Sequence, residues 1–197
     1  MLNASGRKIF IFHGISATAR DNWYSKVADH FRALGYDVLV PNMPHKHTPN
    51  LNEWSSAALA EIKNKGWTID ENLSLIGHST GSLAVMRFIE KLPEHTRIGP
   101  SILVAGFPAA FLHPKFPTLV ARPPRVNLIR PKLSHLLAVH STNDWRVPLG
   151  PNSRWFEKEL SAEIFTIGNA GHVIKRHGWG NWSDELYCKA EQFLSLS

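Results

Sequence analysis

Short apolar runs, each closed by a glycine, a proline or a small polar residue, recur along this chain between longer stretches of helical periodicity. Lys8-Ile9-Phe10-Ile11-Phe12 ends in His13-Gly14, Asp37-Val38-Leu39-Val40 in Pro41, and Leu73-Ser74-Leu75-Ile76 in Gly77. Ser101 to Ala105 ends in Gly106, Leu136 to His140 in Ser141, and Glu163 to Ile167 in Gly168. Such runs are too short for helices and do not alternate, the pattern of strands covered on both faces.

The intervals carry a period near 3.6. A helix is expected after Asp21 or Asn22, either of which suits an N-cap, burying Trp23, Val27, Phe31 and Leu34 and stopping at Gly35. Leu51 to Lys65 holds Trp54, Ala58, Leu59 and Ile62 on one face before Gly66. Thr80 to Leu92 turns Leu83, Ala84, Met86, Phe88 and Ile89 inward and is closed by Pro93. Asn152 to Leu160 reads as a shorter helix. Ser183 opens the last one, with Asp184 and Glu185 where the helix dipole favours negative charge and Leu186, Phe193 and Leu194 facing the core.

Six strands joined by crossover helices imply a three-layer α/β/α sandwich with a mostly parallel six-stranded sheet. At 197 residues the chain is expected to form one domain over 1–197, with no repeats or linker. The stretch from Phe107 to Lys132 breaks the rhythm. It holds Pro108, Pro114, Pro117, Pro123, Pro124 and Pro131, and reads as an excursion over the sheet edge.

Gly77-His78-Ser79-Thr80-Gly81 matches G-x-S-x-G. With glycine near 7% of residues and serine similar, chance gives that pattern in roughly one chain in fifteen to twenty, so alone it says little. Its setting says more. An apolar strand feeds the motif and an apolar-faced helix leaves it, the strand–turn–helix context of a nucleophile elbow. The sharp turn strains the serine backbone, and the glycines leave room beside it. Ser79 is the candidate nucleophile.

A serine hydroxyl needs a base, and the base needs an orienting acid. Where this elbow occurs, the chain order is serine, acid, histidine, the last two on loops at strand C-terminal ends. Asp144 follows the fifth strand in Ser141-Thr142-Asn143-Asp144-Trp145, and His172 follows the sixth in Gly168-Asn169-Ala170-Gly171-His172. His78 adjoins the nucleophile and His140 falls within a strand, which leaves His177 as the rival base. Asp184 and Glu163, in a helix and a strand, are the rival acids. The oxyanion donors are expected to be the N–H of Thr80 and that of Ile15 in the loop after the first strand, with Gly14 as the fallback. His13 reads as a structural residue.

Composition adds exclusions. The chain is 43% hydrophobic and 19% charged, ordinary for a globular protein. No apolar run approaches the roughly 20 residues of a membrane span, and the first residues do not read as a signal peptide. The lone Cys188 makes no intrachain disulfide and suits a reducing, cytoplasmic setting. The formal charge is +6, with Lys115, Arg122, Arg125, Arg130 and Lys132 in one stretch. Without a nucleic-acid-binding signature, that stretch reads as a solvated loop, the alternative being attraction of an acidic substrate or partner. His45-Lys46-His47 lacks a following acid, so a surface loop is expected there and no metal or cofactor. Trp23, Trp54 and Trp145 lie near strand ends, in the core or around a pocket, and Cys188 is expected to pack inertly.

Taken together, these residues resemble the small serine hydrolases related to retinoblastoma-binding protein nine and their bacterial relatives. The likeness is carried by Phe12-His13-Gly14, Asp21-Asn22-Trp23-Tyr24, Pro41-Asn42-Met43-Pro44, Trp54, Ile76-Gly77-His78-Ser79-Thr80-Gly81, Ser141-Thr142-Asn143-Asp144 and Gly171-His172. The resemblance implies a minimal α/β-hydrolase fold without a large cap domain, and it carries catalytic roles onto Ser79, Asp144 and His172. It implies no particular substrate. Leu186-Tyr187-Cys188-Lys189-Ala190 lacks the acid of an L-x-C-x-E partner motif, and the proline-rich segment 108–132 departs from the family pattern. The expected reaction is cleavage of a small-molecule carboxylic ester, amide or thioester through an acyl-Ser79 intermediate. A non-catalytic binding protein on this fold and an acyltransferase using the same triad are the alternatives.

Overall fold

The computed structural model describes residues 6–108 and 122–196. Strands and helices alternate as β1 (Lys8–Phe12), α1 (Tyr24–Ala33), β2 (Asp37–Leu39), α2 (Leu51–Asn64), β3 (Leu73–His78), α3 (Thr80–Lys91) and β4 (Ser101–Val104). Then follow α4 (Val126–Ile129), β5 (Leu136–Ser141), α5 (Leu149–Leu160), β6 (Glu163–Ile167) and α6 (Asp184–Leu194). The sheet order is β2-β1-β3-β4-β5-β6 and every pairing is parallel. The chain steps outward from β1 to β2, then returns to β3 on the other side of β1. That reversal opens a crevice at the C-terminal ends of β1 and β3, where open α/β sheets bind ligands.

Right-handed crossovers turn the reversal into two helical layers. Trp23 and the α1 residues Tyr24, Val27 and Phe31 pack with Leu186 and Phe193 of α6 against Ile9, Ile11, Leu137 and Val139. On the other face Trp54, Ala58 and Ile62 of α2, Leu83 and Phe88 of α3 and Phe156 of α5 cover Phe10, Phe12, Leu136 and Ala138. Successive strand residues point to opposite faces, and on β1, β3, β4 and β5 both faces are covered. This is why the strands read as unbroken apolar runs.

Several boundaries differ from the sequence reading. β3 continues through Gly77 to His78, β2 stops at Leu39, and α5 begins at Leu149. Neither Asp21 nor Asn22 caps α1; the N-cap position is Trp23, with no side-chain bond. Asp21 instead accepts from the Thr18 N–H at 2.7 Å, while Asn22, at φ 51, accepts the Lys175 N–H at 3.0 Å. Leu34 lies past the end of α1 and is 40% exposed rather than buried.

The basic stretch is corrected in part. Arg122 and Arg125 are ion-paired to Glu90, whose side chain is buried near the end of α3 beside Arg87. Burial pushes the Glu90 carboxyl up, but Arg122, the Arg125 N–H and Arg87 together hold it below the ordinary value. Lys132 Nζ donates to the Leu92 carbonyl at 2.7 Å and the Ile89 carbonyl at 3.1 Å, supplying donors that a buried helix end lacks. These three cations anchor the return of the chain rather than lining a solvated loop. Residues 109–121, with Lys115, Pro114 and Pro117, fall outside the described residues. No helix among the described residues is long and apolar enough to cross a membrane.

Candidate active site

His78 is the last residue of β3 and Thr80 the first of α3, so Ser79 alone makes the turn, at φ 53 and ψ −118. Its N–H donates to the Val104 carbonyl at 2.9 Å, and its carbonyl accepts the Ser82 N–H at 2.9 Å. The two glycines are steric necessities. A Cβ on Gly81 would sit 2.2 Å from the Phe12 carbonyl oxygen, and one on Gly77 would sit 2.8 Å from that of Gly81. The elbow thus presses the start of α3 against the end of β1.

Ser79 Oγ lies 2.8 Å from His172 Nε2, and His172 Nδ1 lies 2.7 Å from Asp144 Oδ2. The other Asp144 oxygen accepts the N–H groups of Arg146 at 2.9 Å and Val147 at 3.1 Å. Burial raises the Asp144 carboxyl, but His172 and those two N–H groups outweigh it and hold it below its ordinary value. An ionised Asp144 accepts a hydrogen bond from His172 Nδ1–H and so keeps the ring proton there, which leaves Nε2 to accept from the serine hydroxyl.

The loops carrying these residues are laced together. Thr142 Oγ1 accepts the Asn169 N–H at 3.0 Å, Ser141 Oγ that of Ala170 at 2.9 Å, and Asn143 Oδ1 that of Gly171 at 2.7 Å. The three residues before Asp144 therefore hold the three residues before His172. His177, the rival base, accepts the His172 N–H on Nδ1 at 2.9 Å instead of facing Ser79. A Cβ on Gly171 would meet that imidazole at 2.4 Å, so the glycine admits it.

Thr80 opens α3, and the first N–H groups of a helix lack intrahelical acceptors. The Gly14 N–H is spent on the Tyr24 hydroxyl at 3.0 Å, which removes the fallback donor. The Ile15 N–H finds no acceptor among the described residues. His13 accepts the Met43 N–H at 2.9 Å and lies 2.8 Å from the Gly14 carbonyl, tying the Phe12-His13-Gly14 turn to the Asn42-Met43-Pro44 step. Burial lowers its pKa, as suits a neutral brace.

Other singled-out residues go elsewhere. His45 faces Glu53 at 3.8 Å and His47 bonds Ser16 Oγ at 3.1 Å, so the pair does not converge. Trp23 and Trp54 are fully buried, whereas Trp145 is 71% exposed with Arg146 over its ring at 4.5 Å. Cys188 is exposed on α6, not packed as expected. Tyr24, His78 and the Ser141–Asn143 side chains were missed as site-building residues. His78 and Ser141–Asn143 adjoin the elbow and the acid in sequence, Tyr24 adjoins neither, and the shared signal was that all of them fall in the segments that carry the family resemblance.

The model of the serine hydrolase family matches residues 9–188. The chain belongs to this family. It is 26% identical over 179 residues to YdeN of Bacillus subtilis (strain 168), a protein named as a hydrolase, covering 88% of this chain and 89% of that one. It is 25% identical over 168 residues to the serine hydrolase RBBP9 of Rattus norvegicus, covering 81% and 82%. The crystal structure of the B. subtilis ydeN gene product superposes with a TM-score of 0.83 at 24% identity, covering 96% of this chain and 99% of that one. As a serine hydrolase of the RBBP9 and YdeN kind on a minimal α/β-hydrolase fold, the chain is an enzyme of the hydrolase type. The reading as a non-catalytic binding protein is set aside.

Proposed function

We propose that this serine hydrolase cleaves a small carboxylic ester, amide or thioester through an acyl-Ser79 intermediate. His172 Nε2 takes the Ser79 proton as Oγ attacks the acyl carbon, and Asp144 stabilises the imidazolium. The N–H groups of Ile15 and Thr80 receive the oxyanion. On collapse the acyl–heteroatom bond breaks and the imidazolium proton leaves with the departing group. Water, deprotonated by His172, then attacks the acyl carbon; the acyl–Oγ bond breaks, the imidazolium returns its proton to Ser79 Oγ and the carboxylic acid is released.

The observation that carries this reading is the unbroken line Ser79 Oγ, His172 Nε2, His172 Nδ1, Asp144 Oδ2, with spacings of 2.8 and 2.7 Å on a serine held at positive φ. Labelling by a fluorophosphonate probe tests it. Wild type is expected to label, and Ser79→Ala and His172→Ala are expected not to. Folded wild type that stays unlabelled, or Ser79→Ala that labels equally, would overturn the assignment.

A further inference from the structure

The Tyr24 hydroxyl stands between the two loops that flank Ser79. It accepts the Gly14 N–H at 3.0 Å and an Asn22 Nδ2 hydrogen at 3.2 Å, so its own single proton is left for His78 Nδ1 at 2.6 Å. On the other side of the ring, His78 Nε2 lies 3.0 Å from the His172 carbonyl oxygen, which can only accept. These contacts fix one tautomer, with Nδ1 bare and the proton on Nε2. Tyr24 is fully buried and His78 is 2% exposed, so water does not substitute for either partner.

We infer that Tyr24 and His78 are positioning residues that hold the oxyanion loop at Ile15 in register with the base His172. Three hydrogen bonds run without a break from Gly14, one residue before the proposed donor, to the backbone of the proposed base. The motif G-x-S-x-G leaves the residue before the serine free, and nothing in the turn itself requires histidine there. Burial first, and the nearby His172 second, push the His78 pKa down to about 3, so the ring stays neutral while the enzyme works. From the same helix start, Trp23 Nε1 donates to the Val173 carbonyl at 2.9 Å and pins the next peptide. Removing the Tyr24 hydroxyl frees the Gly14 N–H and leaves the bare, buried His78 Nδ1 without its donor, so the ring is held by the His172 carbonyl alone and the oxyanion loop and the base lose their shared brace.

This inference rests on the acyl-serine reading, and the experiment separates the two. Wild type, Tyr24→Phe, His78→Gln and the double variant are titrated with a fluorophosphonate and assayed on p-nitrophenyl acetate, with Ser79→Ala as the blank. Tyr24→Phe is expected to lower kcat per titrated site about tenfold with KM within about twofold, as a small misplacement of reacting groups does. The double variant is expected to fall no more than about twofold below the weaker single one, because both break one chain. A purely structural role would shrink the titratable fraction and leave kcat per site unchanged; that result, or fully multiplicative losses, would overturn the inference. If Tyr24→Phe gives no folded protein, His78→Gln is judged by the same kcat-per-site criterion. Wild-type turnover no greater than the Ser79→Ala blank would overturn the acyl-serine reading itself.

Discussion

Asn143 Oδ1 takes the Gly171 N–H at 2.7 Å, and each residue is the immediate neighbour of one end of the Asp144–His172 hydrogen bond. The amide side chain thus sets the approach of acid to base. Asn143→Ala leaves the Gly171 N–H without its acceptor, a loss of about 1–3 kcal/mol. A lowered Tm and a kcat/KM reduced about tenfold are expected from thermal denaturation and ester hydrolysis. An unchanged Tm would remove this role.

Asp144 accepts from His172 and from two backbone N–H groups, so its replacement by the isosteric amide keeps the shape and loses the charge. Asp144→Asn is expected to lower kcat by on the order of 10⁴, because the amide favours the wrong His172 tautomer. Steady-state kinetics on folded variant decide it; a loss below tenfold would mean the carboxylate does not orient the base.

His140 is fully buried against Phe156, and neither ring nitrogen has a hydrogen-bond partner among the described residues. Burial lowers its pKa from 6.5 to about 4. The folded state therefore binds fewer protons than the unfolded state between those values, and the stability present in full above pH 6.5 is lost as pH falls toward 4. His140→Leu removes an unsatisfied polar group and is expected to stabilise by about 1–3 kcal/mol at pH 7. Urea midpoints measured from neutral to acid pH should also fall less steeply in the variant. A destabilised His140→Leu would show that the imidazole is needed where it stands.

The connections leaving the C-terminal ends of the strands contain only two acids, Asp21 and Asp144, both hydrogen-bonded. The same connections carry Arg20, Lys46, Arg146, Lys175 and Arg176, none of which forms a salt bridge among the described residues. A one-signed rim steers opposite charge. Esters with a carboxylate tail are expected to show a higher kcat/KM than neutral esters of equal length, with an advantage that shrinks as salt rises. Equal salt dependence for both would exclude steering by this rim.

The alternation of apolar runs with helical periods determined the layers, because a strand buried on both faces is apolar at most of its positions. The elbow was legible for a similar reason: only glycine fits at Gly81, where α3 meets β1, and at Gly77, where α3 folds back on β3, so both are written into the chain. The order of strands likewise limited where Asp144 and His172 fall. What the sequence did not hold was which side chains brace them. Asp21 and Asn22 look like caps locally, yet Asn22 is drawn off to the Lys175 N–H, 153 residues away. Arg122 and Arg125 look solvated until the buried Glu90 collects them. Tyr24 and His78 lie 54 residues apart, and their bond has no trace in any local pattern. Hydrophobic burial leaves a periodic record along the chain, because every element must repeat it. A hydrogen bond between distant loops is made once, by two atoms, and only the packed sheet decides which two they are.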